Sequence, residues 1–302
     1  MKATGRVLAL CMNPAWQRVV VLPTLQLGRV NRAAAVSTCG GGKGINAARA
    51  IGCAGGTAAV AWFAGGTTGE SLDRELQAAG IGSLKVDVAH PTRVCTTLID
   101  LAGRTVTEVI EPSGPVEADQ VEAMRRVLRN AVANCAAVAI CGTCPPGVPD
   151  SLSAEASAEA KAAGAIVILD AVSPVAPTLA GGVDVLKVNA DELRRLGGRD
   201  DLQAAASRLL ESGGAGWIAV TDGPRQARLF GPGGSVAFTL PDLGQDSRNT
   251  IGAGDCATGI LLWELAGRSL DLETVADAFT SALAAACASC LTDLPADRKS
   301  VV

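Results

Sequence analysis

Apolar and polar positions along this chain fall into two rhythms that hand over to one another. From about Glu117 onward, a stretch with apolar residues at helical spacing gives way to a short unbroken apolar run, and the exchange then repeats. Residues 116–134 lead into 136–140, residues 151–163 into 165–170, and residues 201–212 into 217–221. This alternation predicts an α/β fold with a mostly parallel sheet, because a buried parallel strand is apolar on both faces and needs a helix to return the chain. Residues 185–188 add another such strand. Two regions break the rhythm, 17–38 and 92–110, and the second reads as a hairpin about Ala102-Gly103-Arg104. They predict a small β-sheet standing off the main one, with strands from about 15–40 and 90–111, either extending the sheet or closing as a lid over a ligand. No linker divides the chain, so residues 1–302 are expected to form one domain.

Composition narrows the picture. The 302 residues are 48% hydrophobic and 19% charged with a net charge of -4, which is enough apolar material for a large core. Lys and Arg are dispersed, so no basic face for nucleic acid or a membrane surface is expected. The 10 cysteines are scattered through apolar runs and read as small core residues. Cys141 and Cys144 have CxxC spacing, but no second Cys or His pair completes a zinc set. The apolar run 7–12 is short for a signal segment and stops at Pro14, so a reduced, cytoplasmic setting is expected. His90, the lone histidine, precedes Pro91 in a turn, which leaves no histidine-based triad.

The chemistry concentrates near the C-terminal end, in Gly252-Ala253-Gly254-Asp255 and the small, apolar helical run after it. Two glycines let backbone N–H groups crowd around an anion, the helix start adds its positive end, and Asp255 sits at that end. An acid placed there can take a proton from an attacking hydroxyl while the amides hold charge, which suits phosphoryl transfer. The spacing also satisfies the dinucleotide pattern GxGxxA. That reading lacks its context, since a polar segment rather than a buried strand comes before it and mostly helix follows.

Upstream, Gly40-Gly41-Gly42-Lys43-Gly44-Ile45-Asn46 precedes a helical run at 47–51 and brings a charge and an amide to the same helix start. It is not a Walker A loop, because Ser37 and Gly44 stand where that motif needs Gly and Ser or Thr. A solvated Gly-rich turn is the plain alternative. Lys187-Val188-Asn189-Ala190-Asp191-Glu192 ends a strand and opens a helix. Asn189 and Glu192 share a face there and could bind magnesium through its water shell, or could simply be an N-cap and its capping-box partner. Thr221-Asp222-Gly223 and the turn from Gly142 to Gly147 end two further strands, where ligands of parallel sheets gather.

Together these segments resemble the PfkB, ribokinase-like family of sugar kinases, most closely its 1-phosphofructokinase and tagatose-6-phosphate kinase branch. The pieces occur in family order: Asn13-Pro14-Ala15, the glycine-rich segment, Thr92-Arg93, Glu111-Pro112-Ser113-Gly114-Pro115, Gly142 to Gly147, Lys187 to Glu192, Thr221 to Gly223, and Gly252 to Asp255. The resemblance implies a ribokinase-like three-layer fold with a β lid, ATP with Mg2+, and transfer of the γ-phosphoryl group to a ketohexose phosphate. It makes Asp255 the general base, with Gly252, Ala253 and Gly254 forming the anion hole. Asn13, Gln17, Gly41, Gly42, Lys43, Asn46, Arg93 and Thr143 fall on the sugar side. Lys187, Asn189, Thr221 and Gly223 fall on the nucleotide side, with Asn189 and Glu192 in the magnesium network.

Two positions depart from the branch. Gln17 stands where an aspartate usually grips sugar hydroxyls, and Asn249 stands where many relatives carry Asp. Glutamine keeps hydrogen-bonding capacity but loses the charge. A kinase of an unphosphorylated sugar or nucleoside, and a catalytically silent sugar-binding relative, therefore stay open beside the phosphosugar reading. Exposed strand edges on a lid also invite pairing with a second copy, as a homodimer.

Overall fold

The computed structural model describes residues 6–292 apart from 172, 174, 245, 246 and 248. Its main sheet has nine strands. Four of them continue the rhythm read from the sequence: β8 (Cys135–Cys141), β9 (Ile166–Asp170), β10 (Val183–Asn189) and β11 (Ala215–Asp222); β1 (Arg6–Cys11) lies next to β8, with β4 (Ala58–Ala64) and β5 (Gly82–Asp87) beyond β1. The hairpin β12 (Gln226–Gly231) and β13 (Gly234–Thr239) completes the other edge, giving the order β13-β12-β11-β10-β9-β8-β1-β4-β5. All pairs from β11 to β5 are parallel, and β12 runs antiparallel to both β11 and β13.

Successive side chains of each strand enter different cores, because a strand's period is two. In β1, Val7 and Cys11 join one apolar cluster and Leu8 and Leu10 the other. The first cluster is closed by α1 (Lys43–Cys53), α2 (Gly66–Ala78), α8 (Ala253–Leu265) and α9 (Leu272–Ser289). The second is closed by α3 (Ala118–Val132), α4 (Ser151–Ala162), α6 (Ala190–Gly197) and α7 (Leu202–Glu211), with the short α5 (Ala176–Ala180) at the edge. The result is the expected helix, sheet and helix sandwich. None of the helices among the described residues is long and apolar enough to cross a membrane.

The two regions that broke the rhythm form a separate four-stranded sheet. Its strands are β2 (Ala15–Leu22), β3 (Ala35–Gly41), β6 (Val94–Asp100) and β7 (Thr105–Ile110), in the order β3-β2-β6-β7. The hairpin of β6 and β7 turns at Arg104, whose φ is 51. Strand order reverses between β1 and β8, whose last residues, Cys11 and Cys141, are partners in register. In open parallel sheets the crevice beyond such a reversal is where ligands bind.

Candidate active site

Two helix starts converge beyond the strand ends. Helix α1 begins at Lys43, earlier than its apolar run suggests, because Gly42 and Gly44 let it dock directly onto β1. Gly42 has φ 111, and a Cβ there would lie 2.8 Å from Cys11 Sγ; one on Gly44 would lie 2.8 Å from the Leu10 carbonyl oxygen. Helix α8 begins at Ala253 behind Gly252, which has φ 81. Lys43 and Asn46 therefore come from the first turns of one helix, and Asp255 from the first turn of another.

Asn46 Nδ2 donates to Asp255 Oδ2 at 2.8 Å. Lys43 Nζ donates to Asp170 Oδ1 at 2.7 Å, and Lys187 Nζ lies 3.5 Å from Asp170 Oδ2. Thr258, one turn beyond Asp255, also donates its hydroxyl to Asp170. Asp170 is 1% exposed and Lys187 4%. The lysine amine is so close to α8 that a Cβ on Gly254 would lie 2.8 Å from it.

The two carboxylates are pushed apart in acidity. Burial raises the Asp255 carboxyl above the usual range and the charge of Asp170 raises it further, against the pull of Lys43, Asn46 and Lys187. Burial also acts to raise Asp170, but Lys187, Lys43 and Thr258 together bring it below that range. Lys43 is raised despite its own burial, by the charges of Asp170 and Asp255. Where the surroundings drive two neighbouring acids in opposite directions, one is kept as the anion and the other holds its proton to higher pH.

The residues expected on the sugar side lie between the small sheet and the β1 end. Asn13 donates to Thr143 Oγ1 at 3.0 Å and accepts from Ser113 Oγ at 2.5 Å. Gln17 is buried, donates its amide to Thr97 Oγ1, and has its carbonyl oxygen 3.3 Å from where a Cβ on Gly41 would stand. The Arg93 guanidinium reaches the carbonyl oxygens of Asn13 at 3.2 Å, Pro14 at 3.4 Å and Glu111 at 3.4 Å. Since guanidinium carries five N–H donors, these three bonds leave two for an anion and hold the group still.

On the other side of α8, Thr221, Gly223, Ala253 and Gly254 face a cavity of about 570 Å3 that is closed by Leu283 and Ala286 of α9. Asn189 and Glu192 meet as a reciprocal capping box: Glu192 N donates to Asn189 Oδ1 and Asn189 N to Glu192 Oε2, both at 2.8 Å. Among the described residues, no group of three or more His, Cys, Asp or Glu could hold a metal alone.

A profile of pfkB family carbohydrate kinases matches residues 7–297. The chain belongs to this family. The kinase is 30% identical to 1-phosphofructokinase of Rhodobacter capsulatus over 282 residues, 90% of this chain and 87% of that one. It is 28% identical to ATP-dependent 6-phosphofructokinase isozyme 2 of Escherichia coli K12 over 269 residues, 86% of each. The crystal structure of Escherichia coli phosphofructokinase-2 in complex with substrates and products superposes with a TM-score of 0.86 at 26% identity, covering 95% of this chain and 93% of that one.

In this carbohydrate kinase the geometry joins Lys43, Asn46, Lys187 and Asp255 around one point, and sets Asn13, Gln17, Thr143 and Arg93 along the neighbouring wall. It also brings in residues that motif reading passed over. Asp170 holds the two lysines, Thr258 donates to Asp170, Thr97 anchors Gln17, and Arg49 stands behind Asn46. One signal was available: Ile166-Val167-Ile168-Leu169-Asp170 is an apolar strand closed by an acid, at the end where ligands gather.

Proposed function

We propose that this carbohydrate kinase transfers the γ-phosphoryl group of ATP to a hydroxyl of a ketohexose phosphate, with Asp255 as general base. The observation that carries the reading is Asp255 itself: an acid of raised pKa at a helix start, held by Asn46, with Lys43 and Lys187 on either side of Asp170 nearby. Its carboxylate takes the hydroxyl proton as the sugar oxygen bonds to the γ-phosphorus. The bond from that phosphorus to its bridging oxygen breaks, and ADP departs. The first-turn N–H groups of α8 stabilise the charge in flight, Gly254 N–H directly and Ala253 N–H by giving up its 3.3 Å bond to the Thr250 carbonyl oxygen.

Two cations on the sugar side, Lys43 and Arg93, suit a substrate that already carries a phosphate dianion. The names of the Rhodobacter and Escherichia relatives agree with that class, and the word ATP-dependent in the second agrees with the donor. The cavity beside Thr221 and Gly223 is apolar on its α9 side, which suits a base, and Gly254 on its wall stands next to the Lys187 amine. The capping-box oxygens of Asn189 and Glu192 are engaged by backbone N–H groups. This donor set fits a magnesium ion held chiefly by nucleotide phosphates and water, with Glu192 as an outlying carboxylate, and that ion would neutralise charge on the phosphates.

The lid's outer face supports pairing with a second copy. Val36, Val20 and Leu98 form a row across β3, β2 and β6, and Val36 and Val109 are 49% and 54% exposed. A single species of dimer mass in sedimentation is the expected result; a monomer at all concentrations overturns it.

The test of the reaction is a panel of phosphorylated and free ketoses with ATP and Mg2+, read by ADP release. Turnover confined to phosphorylated ketoses is expected. Turnover confined to free sugars rejects the substrate class, and sugar binding without ADP release rejects catalysis.

A further inference from the structure

Behind the Asp255–Asn46 contact lies a second layer of charge. Arg49, one turn after Asn46 on α1, donates from Nη1 to Asn46 Oδ1 at 2.9 Å. Its Nη2 donates to the Gly40 carbonyl oxygen at 2.5 Å and to Glu75 Oε1 of α2 at 2.8 Å. The other oxygen of Glu75 accepts from Gly40 N at 2.6 Å. Gly40 belongs to lid strand β3, so one guanidinium joins the lid, α2 and the amide that touches Asp255.

The chemistry allows one orientation of that amide. Guanidinium can only donate and an ionised carboxylate can only accept. With Arg49 on one side and Asp255 on the other, the Asn46 oxygen must face the arginine and its nitrogen the aspartate. A flipped amide would set N–H against N–H and oxygen against oxygen. Without Arg49 the flipped and rotated states lose much of their penalty, and Asp255 loses a fixed donor.

We propose that Arg49 is a positioning residue for Asp255: it locks the Asn46 amide against the carboxylate and ties that pair to lid strand β3. Alignment of the base and placement of the lid strand then depend on one side chain. The proposal rests on Asp255 being the base.

The ionisable groups facing Asp255 are Asp170 from β9, Lys187 from β10, Lys43 from α1, Glu108 from β7, and the thiols of Cys11 and Cys141 from β1 and β8. Arg49 acts on it through Asn46. Replacing Arg49 should therefore leave those groups in place and remove only the amide's hold, which lets the Asp255 pKa rise further.

The experiment measures kcat, both KM values and the pH dependence of kcat for wild type, Asp255→Asn, Arg49→Met, Arg49→Lys and Glu75→Gln, with melting temperatures alongside. Arg49→Met should lower kcat by about 10- to 100-fold, the size of loss that misalignment of a reacting group brings. Its acid limb should move to higher pH while the nucleotide KM stays unchanged. Arg49→Lys keeps the charge but loses the fork, and should recover only part of the loss. Glu75→Gln should shift the limb the same way by less.

Should Arg49→Met not fold, Glu75→Gln and Gly40→Ala carry the test. An alanine Cβ at Gly40 would lie 3.2 Å from Leu72 Cγ and so push on α2, the helix that carries Glu75, while meeting Arg49 Nη2 at 3.6 Å, an ordinary contact. Arg49 and Glu75 variants with wild-type kcat and acid limb, or with a loss confined to the sugar KM, overturn the relay alone when Asp255→Asn is inactive. Full turnover by Asp255→Asn removes the base, and the proposal with it.

Discussion

Asp170 and Asp255 lie close enough for each to feel the other's charge, yet they are driven in opposite directions: Asp170 toward the stable anion, Asp255 toward holding a proton. Lys43 stands between the two demands, donating to Asp170 at 2.7 Å while its charge also pulls Asp255 down. Removal of either carboxylate should therefore change the other.

Asp255→Asn should lower kcat by about two to four powers of ten, the usual worth of a positioned base, with nucleotide affinity changed far less. It should also raise the melting temperature near neutral pH. A carboxyl raised in the folded state stabilises the fold below its unfolded pKa and loses that contribution as pH rises through the folded value, so ionised Asp255 is a cost that asparagine does not carry. Steady-state kinetics and thermal unfolding of the same variant check both. A normal rate, or a lower melting temperature, contradicts them.

Asp170→Asn should work the other way. It leaves the Lys187 ammonium buried without its counter-charge, which costs about 3 kcal/mol when one partner of a buried pair is removed. Loss of its negative charge should shift the acid limb of the kcat profile to lower pH, because Asp170 is one of the groups that raise Asp255. In the wild type, the lowered Asp170 contributes stability above the unfolded carboxylate pKa and loses it as pH falls through the folded value. Urea melts at several pH values and a pH-rate series measure these effects.

Gly254→Ala disturbs the Lys187 contact while keeping the Gly254 N–H. The position is helical, where alanine is better than glycine by up to about 1 kcal/mol, so the fold should not suffer. The new Cβ would stand 2.8 Å from Lys187 Nζ and displace it. A nucleotide KM raised about tenfold is expected, the loss of one hydrogen bond from a charged group. An unchanged KM with unchanged stability would separate Lys187 from the nucleotide.

Gln17→Asp tests the departure at the sugar wall. Aspartate is one methylene shorter than glutamine, so its carboxylate falls short of Thr97 and it places a charge on a 5% exposed position. Stability should fall by about 1–3 kcal/mol, the cost of a buried polar group left without its partner. The ratio of kcat/KM between ketose phosphates should change while the nucleotide KM does not. A constant ratio across the panel would show that this residue does not choose the sugar.

Local pattern determined much of this protein. The strand and helix alternation after residue 117, the off-sheet hairpin, the two glycine-rich helix starts and Asp255 at the second of them are all readable without coordinates, because each depends on near neighbours: a period of two or of four, a glycine that admits a helix start, an acid at a positive helix end. In the N-terminal third, α2 and the pair β4 and β5 escaped that reading, since Ala and Gly dominate there and carry little periodic contrast. Only the tertiary structure decided what Asp170 does. Its lysines come from 127 residues before it and 17 after it, and no spacing rule links them. The same holds for the Arg93 donors spent on three carbonyls, for the capping box that occupies Asn189 and Glu192, and for Arg49, whose partners sit on a lid strand and another helix. Side chains without periodic or capping signatures acquire meaning only when the sheet gathers its strand ends into one crevice, where burial makes every charge answer to its neighbours.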